Sequence, residues 1–280
     1  MTNIFDFALV FTQIPTLLQF LPITLELAFI SMFIGITIGL LLAIIKIREL
    51  PVLKQVAGFF ISLIRGTPIL VQLYIAYFGI PMFFKWLNFQ YGTDFKVADV
   101  SGFVYAVIAL GINQSAYNAE FIRAALLSVG EGQIEAASAL GMTYFQALRR
   151  IILPEALTVA LPSLGNSLIS VIKGTSLAFT CAVVEMTAEG KILGGRNYRY
   201  FEVYVSLAII YWVITIIIEQ FLKLLEKKLA IPEQVANYIP EDEPTAISTQ
   251  TEEGFSRVGN PRRIKLPNIG TSIRIAKSKS

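Results

Sequence analysis

The amino-acid sequence predicts an all-α fold embedded in a membrane, and two observations lead to this class. Apolar residues make up 55% of the chain and its mean hydropathy is +0.64, whereas only 15% of its residues are charged. Soluble domains carry about one quarter charged residues, so the composition is typical of a membrane protein. Apolar runs long enough to cross a bilayer as helices also recur along the chain.

Five apolar stretches are long enough to be transmembrane helices, because a helix needs about 20 residues to cross the hydrocarbon core. The predicted spans are 21–45, 56–86, 102–122, 156–184 and 203–222. A sixth span requires either that the fourth is split or that residues 5–20 also cross. The latter stretch is too short and contains Asp6 and Pro15. We therefore predict a transmembrane domain over 21–230, preceded by an extracellular or interfacial segment, 1–20.

The distribution of lysine and arginine among the loops predicts the orientation of the chain. These residues are more numerous on the side that holds Lys46, Arg149 and Lys227 than on the side that holds Lys85 and Arg196. Loops rich in lysine and arginine stay in the cytoplasm. We therefore expect the amino terminus outside, and both the loop around residues 133–154 and the carboxyl terminus inside.

Residues 231–280 differ in composition from everything before them. This segment is rich in proline, serine, threonine and charge, and its acidic residues precede its basic ones. Such a segment cannot bury enough apolar surface to offset the entropy lost on ordering. We predict a disordered cytoplasmic tail, whose basic end either contacts anionic membrane lipid or is simply solvated.

The residue types that are absent exclude several classes of chemistry. The chain has no histidine and one cysteine, Cys181, so histidine triads, disulfides within the chain and the usual thiolate or imidazole metal sites are excluded. It also lacks the G-x-x-x-x-G-K-[ST] loop that holds ATP phosphates. We predict no catalytic residue, no metal and no cofactor, and the net charge of +3 does not indicate a nucleic-acid partner.

A polar loop between the third and fourth spans predicts a helix-turn-helix on the cytoplasmic face. Residues 133–140 fit two helical turns, and Gly141 is free to adopt the left-handed conformation that ends a helix. Thr143 and Gln146 then match a capping box. Pro154 discourages a straight continuation. Two alternatives remain: an ordinary interfacial pair of helices, or a docking element whose small apolar side chains enter a cleft of a partner.

The spacing E-A-A-x3-G-x9-I-x-L-P runs through this loop. The residues at its fixed positions are Glu135, Ala136, Ala137, Gly141, Ile151, Leu153 and Pro154. The pattern resembles the signature of permease subunits of bacterial ATP-binding cassette importers. The segments RGTPILVQ (65–72), AYNAEFIR (116–123) and KGTSL (173–177) are similar to those of the polar amino acid branch, which includes the histidine, glutamine, glutamate and arginine permeases. The resemblance covers about residues 10–230.

This resemblance implies a non-catalytic transport subunit that moves a polar amino acid into the cell. Its implied partners are a dimer of ATPase subunits, a second permease that is the same or homologous, and an extracellular amino acid-binding protein. The implied location is the bacterial inner or plasma membrane. The polar loop would then be the coupling loop, which transmits ATP-driven motion from the ATPase to the spans.

Five residues are candidates for the substrate pathway. They are Arg65, Thr67, Glu120, Lys173 and Glu26. Ionisable groups within membrane spans are costly and favour a functional role. Glu26 and Glu120 are suited to the ammonium group of an amino acid and Lys173 to its carboxylate. The alternatives are a structural pair between Lys173 and either glutamate, and exposure near a helix end. The sequence around Arg65 marks either a break within a span or the start of one.

Two further interpretations concern packing and rival functions. Asn113 and Gln114 suit hydrogen bonds between helices, and the small-residue stripe from Ser31 to Ala43 suits close helix packing, within one subunit or across a dimer. The rival functions are a self-sufficient membrane channel or ATP-independent transporter, and a membrane-embedded enzyme. The enzyme is poorly supported because candidates for acid–base and metal chemistry are few.

Overall fold

A computed structural model describes residues 5–96 and 99–229 of the chain. Every regular element within these ranges is helical. The predicted all-α fold is therefore confirmed for the described part of the chain. The predicted tail, 231–280, lies outside the described residues.

Eleven α-helices, some joined by single π or 3₁₀ turns, follow one another in the described ranges. They are α1 (Phe7–Leu18), α2 (Leu21–Ile47), α3 (Pro51–Gly66), α4 (Ile69–Tyr74), α5 (Ile80–Tyr91), α6 (Gly102–Ser128), α7 (Glu131–Ala139), α8 (Tyr144–Ala147), α9 (Leu153–Gly174), α10 (Met186–Asn197) and α11 (Tyr200–Leu229). A π turn, Ile75–Gly79, joins α4 to α5, and a second, Leu148–Ile152, joins α8 to α9. A 3₁₀ segment, Thr175–Cys181, extends α9.

Four continuous helical stretches in the described ranges are long and apolar enough to cross a membrane. They are Leu21–Ile47, Ile69–Tyr91, Tyr144–Cys181 and Tyr200–Leu229. Helix α6 is as long as α2 but is not among them, and it carries amides and a hydroxyl at its centre. Its neighbours bury much of α6, so it does not need the apolar surface of a lipid-facing helix. The described chain thus supplies a long helix for each of the five predicted crossings.

The stretch predicted as one span, 56–86, contains parts of two separate helical stretches instead: α3, and the continuous stretch formed by α4, the π turn and α5. Helix α3 ends at Gly66, Thr67 is extended, and the span proper begins at Ile69. Pro68 explains the break, because a residue before proline is pushed out of the helical region and proline itself donates no N–H. Of the two sequence interpretations, the start of a span is the one found in the structure.

Helix α6 lies at the centre of the fold and packs against α2, α3, α4 and α9. Its closest approach is to α2, where Gly35 faces the Gln114 side chain and Gly39 faces the Ala119 and Ser115 backbone. A Cβ atom added at Gly39 would lie 3.0 Å from the Ala119 nitrogen. The small-residue stripe of α2 therefore serves packing within this chain.

The amino-terminal helix α1 packs against α11. Asp6 caps it by accepting hydrogen bonds from the backbone of Ala8 (2.9 Å) and Leu9 (3.2 Å). The Ser206 hydroxyl of α11 donates to the Val10 carbonyl at 2.7 Å. The segment predicted as interfacial is thus a helix tied by hydrogen bonds to the last span of the fold.

Candidate functional site

A polar cavity of about 700 Å³ opens where the end of α3 meets the middle of α6 and of α9. Most of its lining residues carry hydrogen-bonding or charged groups. Those with polar side chains are Arg65, Thr67, Asn113, Gln114, Tyr117, Ser163, Asn166, Ser167 and Ser170. The cavity lies beside the break between α3 and α4 and halfway along α6 and α9. Backbone that is not helical is tolerated within a membrane where it lines such a cavity.

Gln72 stabilises the break between α3 and α4. Its amide Nε2 donates to the Ile64 carbonyl at 2.8 Å, to the Thr67 carbonyl at 3.1 Å and to the Thr67 hydroxyl at 2.8 Å. Its Oε1 accepts from Asn113 Nδ2 of α6 at 3.1 Å. The last carbonyls of a helix have no helical donors, and within a membrane they need substitutes. Gln72 supplies these donors, and its hydrogen bond with Asn113 joins the break to α6.

Arg65 brings a positive charge to this cavity. It is the only charged residue among the described residues that line the space. Its guanidinium carbon lies 5.4 Å from the ring centroid of Tyr117, a cation–π distance. This contact involves the face of the Tyr117 ring and does not use the N–H groups of the guanidinium. These N–H groups form a planar fork that suits the two oxygens of a carboxylate.

One face of α9 supplies most of the hydroxyl groups of the cavity. Ser163, Asn166, Ser167 and Ser170 recur at the spacing of a single helical face. The Ser167 oxygen lies 2.7 Å from both Gln114 Oε1 and Asn118 Oδ1, which joins α9 to α6. The predicted use of Gln114 and Asn113 as hydrogen-bonding groups between elements is confirmed by these contacts and by the bond from Asn113 to Gln72.

The five predicted pathway residues do not come together. Arg65 and Thr67 line the cavity, whereas Glu26, Glu120 and Lys173 do not. Glu120 forms ion pairs with Lys46 and, at 2.9 Å, with Arg123. The alternative of a pair between Lys173 and a glutamate is wrong for the described chain. Glu26 and Lys173 are both exposed, and neither side chain forms a hydrogen bond or an ion pair with another described residue.

The polar loop folds as the sequence predicts. Gly141 has φ +74°, and its N–H donates to the Ser138 carbonyl while Met142 N–H donates to the Ala137 carbonyl, each at 3.0 Å. This pattern is a Schellman motif. The capping box is also present: Thr143 N–H donates to Gln146 Oε1 at 2.9 Å, and Gln146 N–H donates back to the Thr143 hydroxyl.

Two expectations for the loop need correction. Ala137 is only 1% exposed, so it packs inside the loop and is not available to a partner in this structure, whereas Leu140 is 78% exposed. Pro154 does not interrupt the chain of helices, since one helical stretch runs from Tyr144 to Cys181. A π turn lies just before Pro154 and explains this continuity. Hydrogen bonds in a π turn join residues five apart instead of four, and this shift lets the helix continue past a proline that donates no N–H.

A buried carboxyl group that the sequence patterns did not indicate lies between the spans. Glu185 is 0% exposed, and it caps α10 by accepting from Ala188 N–H at 2.8 Å. The hydroxyls of Thr24 (3.3 Å) and Tyr211 (3.4 Å) donate to its other oxygen. Burial raises the pKa of the Glu185 carboxyl, and these hydrogen bonds oppose the rise. The usual capping residues are serine, threonine, aspartate and asparagine, so the glutamate at this position gave no capping signal in the sequence.

The cavity residues of α9 were also missed, although a signal for them existed. Polar residues at 163, 166, 167 and 170 form a one-sided stripe on an otherwise apolar span. Gln72 lay inside a segment that the sequence analysis had singled out, 65–72, but its role depends on contacts that no local pattern encodes.

Comparison with known proteins identifies the family of the chain. Residues 35–231 match the family described as the inner membrane component of binding-protein-dependent transport systems. The chain belongs to this family. It is therefore a transport permease, and the described helices agree with a multi-pass protein of the inner membrane.

Individual relatives support the same assignment of the permease. It is 44% identical over 230 residues to the "Probable amino-acid permease protein YxeN" of Bacillus subtilis, covering 82% of the chain and 98% of the relative. It is 39% identical to the L-cystine permease protein TcyL of Bacillus subtilis, covering 82% and 93%. It is 36% identical to the glutamine permease protein GlnP of Escherichia coli, covering 81% and 99%.

Solved structures of transporters share the fold of the permease. An amino acid ABC transporter solved with histidines has a TM-score of 0.67 at 37% identity, over 81% of this chain and all of the other. An inward-facing methionine transporter has a TM-score of 0.61 at 20% identity, over 79% of this chain and 99% of the other, and shows the fold alone.

Family membership decides the broad role of the permease. It is a non-catalytic membrane subunit, and ATP is hydrolysed by a separate subunit. The family also implies a substrate-binding protein as a partner. The comparisons do not favour the alternative of a self-sufficient channel.

Proposed function

We propose that this permease carries a polar amino acid into the cell through the cavity beside Arg65. The observation that carries the proposal is a polar cavity where α3 ends and the next span begins, halfway along α6 and α9, with one guanidinium group in its wall. Every amino acid has a carboxylate, and a guanidinium binds a carboxylate through two parallel hydrogen bonds. The names of the relatives, an amino-acid, a cystine and a glutamine permease, support this class of substrate.

The polar loop is the proposed contact with the ATPase subunits. The proposed coupling residues are Glu135, Ala136, Ala137, Gly141, Ile151, Leu153 and Pro154, with Ala137 acting from inside the loop. The exposed side chain of Leu140 extends this surface. We place the loop and the carboxyl terminus in the cytoplasm and the amino terminus outside, because lysine and arginine favour that side.

The continuous helix from the loop to the cavity supports a mechanism of coupling. The same helical stretch that begins at Tyr144, inside the loop, carries the polar stripe from Ser163 to Ser170. A displacement at the loop therefore reaches the cavity along a single rigid element. ATP-driven closure of the ATPase pair would move this helix against α6 and change which end of the cavity is open. A second permease, identical or homologous, completes the proposed assembly.

Transport in vesicles tests this proposal. The permease is reconstituted with its ATPase and binding protein, and uptake of a mixture of labelled amino acids is measured with and without ATP. We expect ATP-dependent accumulation of at least one amino acid, and a loss of at least tenfold in Arg65→Gln. The matched control is Arg48→Gln, because Arg48 is exposed and does not line the cavity. No accumulation of any amino acid by the wild-type complex would refute the proposal.

A further inference from the structure

We propose that the cavity selects amino acids whose side chain is polar but uncharged, and that it excludes amino acids with a cationic side chain. This inference rests on the proposed function, since it assumes that the cavity holds an amino acid. It follows from the charges and the hydrogen-bonding groups in the wall of the cavity.

The carboxylate end of the substrate belongs at Arg65. Arg65 is the one charged residue among the described residues of the cavity wall, and no described residue of the wall is acidic, so no group of the wall neutralises the guanidinium. The carboxylate of a bound amino acid supplies the negative charge. Tyr117 holds the guanidinium from one side at 5.4 Å, so the fork of N–H groups stays available for two hydrogen bonds.

The side chain of the substrate belongs along α9. Ser163, Asn166 and Ser170 point their polar groups at the cavity, and no hydrogen bond joins these groups to another described side chain. Hydroxyl and amide groups offer both donors and acceptors. An uncharged side chain with an amide, urea or hydroxyl group satisfies them, whereas a purely apolar one leaves them unpaired.

A cationic side chain has no partner in this wall. The carboxylate of α6 nearest in sequence to the cavity residues, Glu120, is held by Lys46 and Arg123 and lies outside the lining. The charge that the described wall does carry, at Arg65, is positive and repels a second cation. Like charges within a few ångströms in a protein environment weaken binding by about tenfold or more.

Citrulline and arginine make the sharpest pair of probes, because they have nearly the same shape and differ in the charge of the side chain. The complex of permease and ATPase is placed in lipid nanodiscs without its binding protein, and binding of each labelled amino acid is measured at equilibrium. We expect citrulline to bind at least tenfold more tightly than arginine. Equal binding, tighter arginine binding, or no binding of either at millimolar concentration would overturn the inference.

Competition with a modified ligand tests the orientation of the substrate. Citrulline methyl ester retains the side chain and ammonium group but lacks the carboxylate. We expect it to compete with labelled citrulline at least tenfold less well than citrulline itself. Equal competition would overturn the assignment of the carboxylate to Arg65.

A negative charge introduced inside the cavity tests the selectivity. Ser170→Asp adds the carboxylate that the wall lacks, and we expect it to raise arginine affinity at least tenfold while citrulline affinity falls. The matched control is Ser101→Asp, which adds the same charge at the exposed amino-terminal cap of α6, where aspartate is well tolerated. An unchanged preference in Ser170→Asp would count against the inference.

The vesicle assay separates a failure of this inference from a failure of the proposed function. If the reconstituted transporter accumulates arginine as well as citrulline, only the selectivity is wrong. If it accumulates no amino acid at all, the proposed function is wrong and the selectivity falls with it.

Discussion

Gly141 shows how one residue shapes the proposed contact with the ATPase. Its φ of +74° lies in the left-handed region, where glycine has no steric penalty and other residues do. The Schellman hydrogen bonds at this residue end α7 and set the direction in which α8 begins. The geometry of the loop therefore depends on a position that tolerates few side chains.

We predict that Gly141→Asp uncouples transport from ATP hydrolysis. Left-handed backbone costs a non-glycine residue about 1–2 kcal/mol, and the loop can relieve this strain by changing shape. ATP-dependent uptake should fall at least tenfold at normal membrane levels, while ATP hydrolysis by the complex continues. Gly132→Asp is the control, because Gly132 also lies in the loop but has no positive φ and has space for a Cβ. Normal uptake in both variants would argue against the coupling role.

We predict that the buried carboxyl of Glu185 makes the stability of the folded protein depend on pH. Burial raises the pKa of this carboxyl in the folded protein, so the folded state holds the proton more tightly than the unfolded state does. The associated stability is complete below the ordinary pKa of 4.5 and is lost as the pH rises through the raised value. Stability should therefore fall as the pH rises from 4.5 towards neutral.

The test is thermal unfolding in detergent across this pH range. In Glu185→Gln the Tm should decline less with rising pH than in the wild type, and a difference of about 1 kcal/mol corresponds to about 2–4 °C. Glu49→Gln is the control, because Lys54 lowers the pKa of the exposed Glu49 carboxyl, so its contribution changes only below pH 4.5 and the profile above pH 4.5 should match that of the wild type. Identical pH profiles for the wild type and Glu185→Gln would contradict the prediction.

At the scale of elements, the contact between α2 and α6 organises the fold. Gly35 and Gly39 allow the two helices to approach until backbone atoms nearly touch. Such small-residue contacts replace the hydrophobic effect as the source of helix association in a membrane. The amides and hydroxyls of α6 then face α9 and the cavity, where Ser167 meets Gln114.

We predict that Gly39→Leu prevents this packing. Its Cβ would lie 3.0 Å from the Ala119 nitrogen and 3.1 Å from the Ser115 oxygen, and backbone atoms cannot move aside as flexible side chains can. Overpacking of this kind costs about 1–3 kcal/mol or more, so the yield of monodisperse protein and its Tm should both fall. Gly58→Leu should leave both unchanged, because nothing lies within 4 Å of a Cβ on that face of α3. Equal yields and Tm values for the two variants would be inconsistent with this role.

At the scale of the whole molecule, one helical stretch connects the proposed cytoplasmic loop to the cavity. The mechanism requires that the loop faces the cytoplasm while the connection between α5 and α6 faces outside. Both statements follow from the proposed orientation, which the charges of the loops support.

Cysteine labelling tests the orientation, since the chain has one native cysteine, Cys181, that is replaced by serine. In that background Thr93→Cys, between α5 and α6, should react in intact cells with a maleimide that does not cross membranes. Ser138→Cys, in α7, should react only after the cells are permeabilised. Both positions are exposed. The reverse pattern would place the loop outside and exclude its contact with a cytoplasmic ATPase.

Composition and local patterns are enough to predict the membrane class, the long helices and the turn chemistry of the loop. These features depend on composition and on neighbours within a few residues, as in the capping box of Thr143 and Gln146. Which distant polar groups meet depends on the tertiary structure. Glu120 pairs with Lys46 instead of Lys173, and Arg65 shares a cavity with a stripe of α9. The physical reason is that the rotation and crossing of packed helices set these contacts, and local sequence patterns do not specify them.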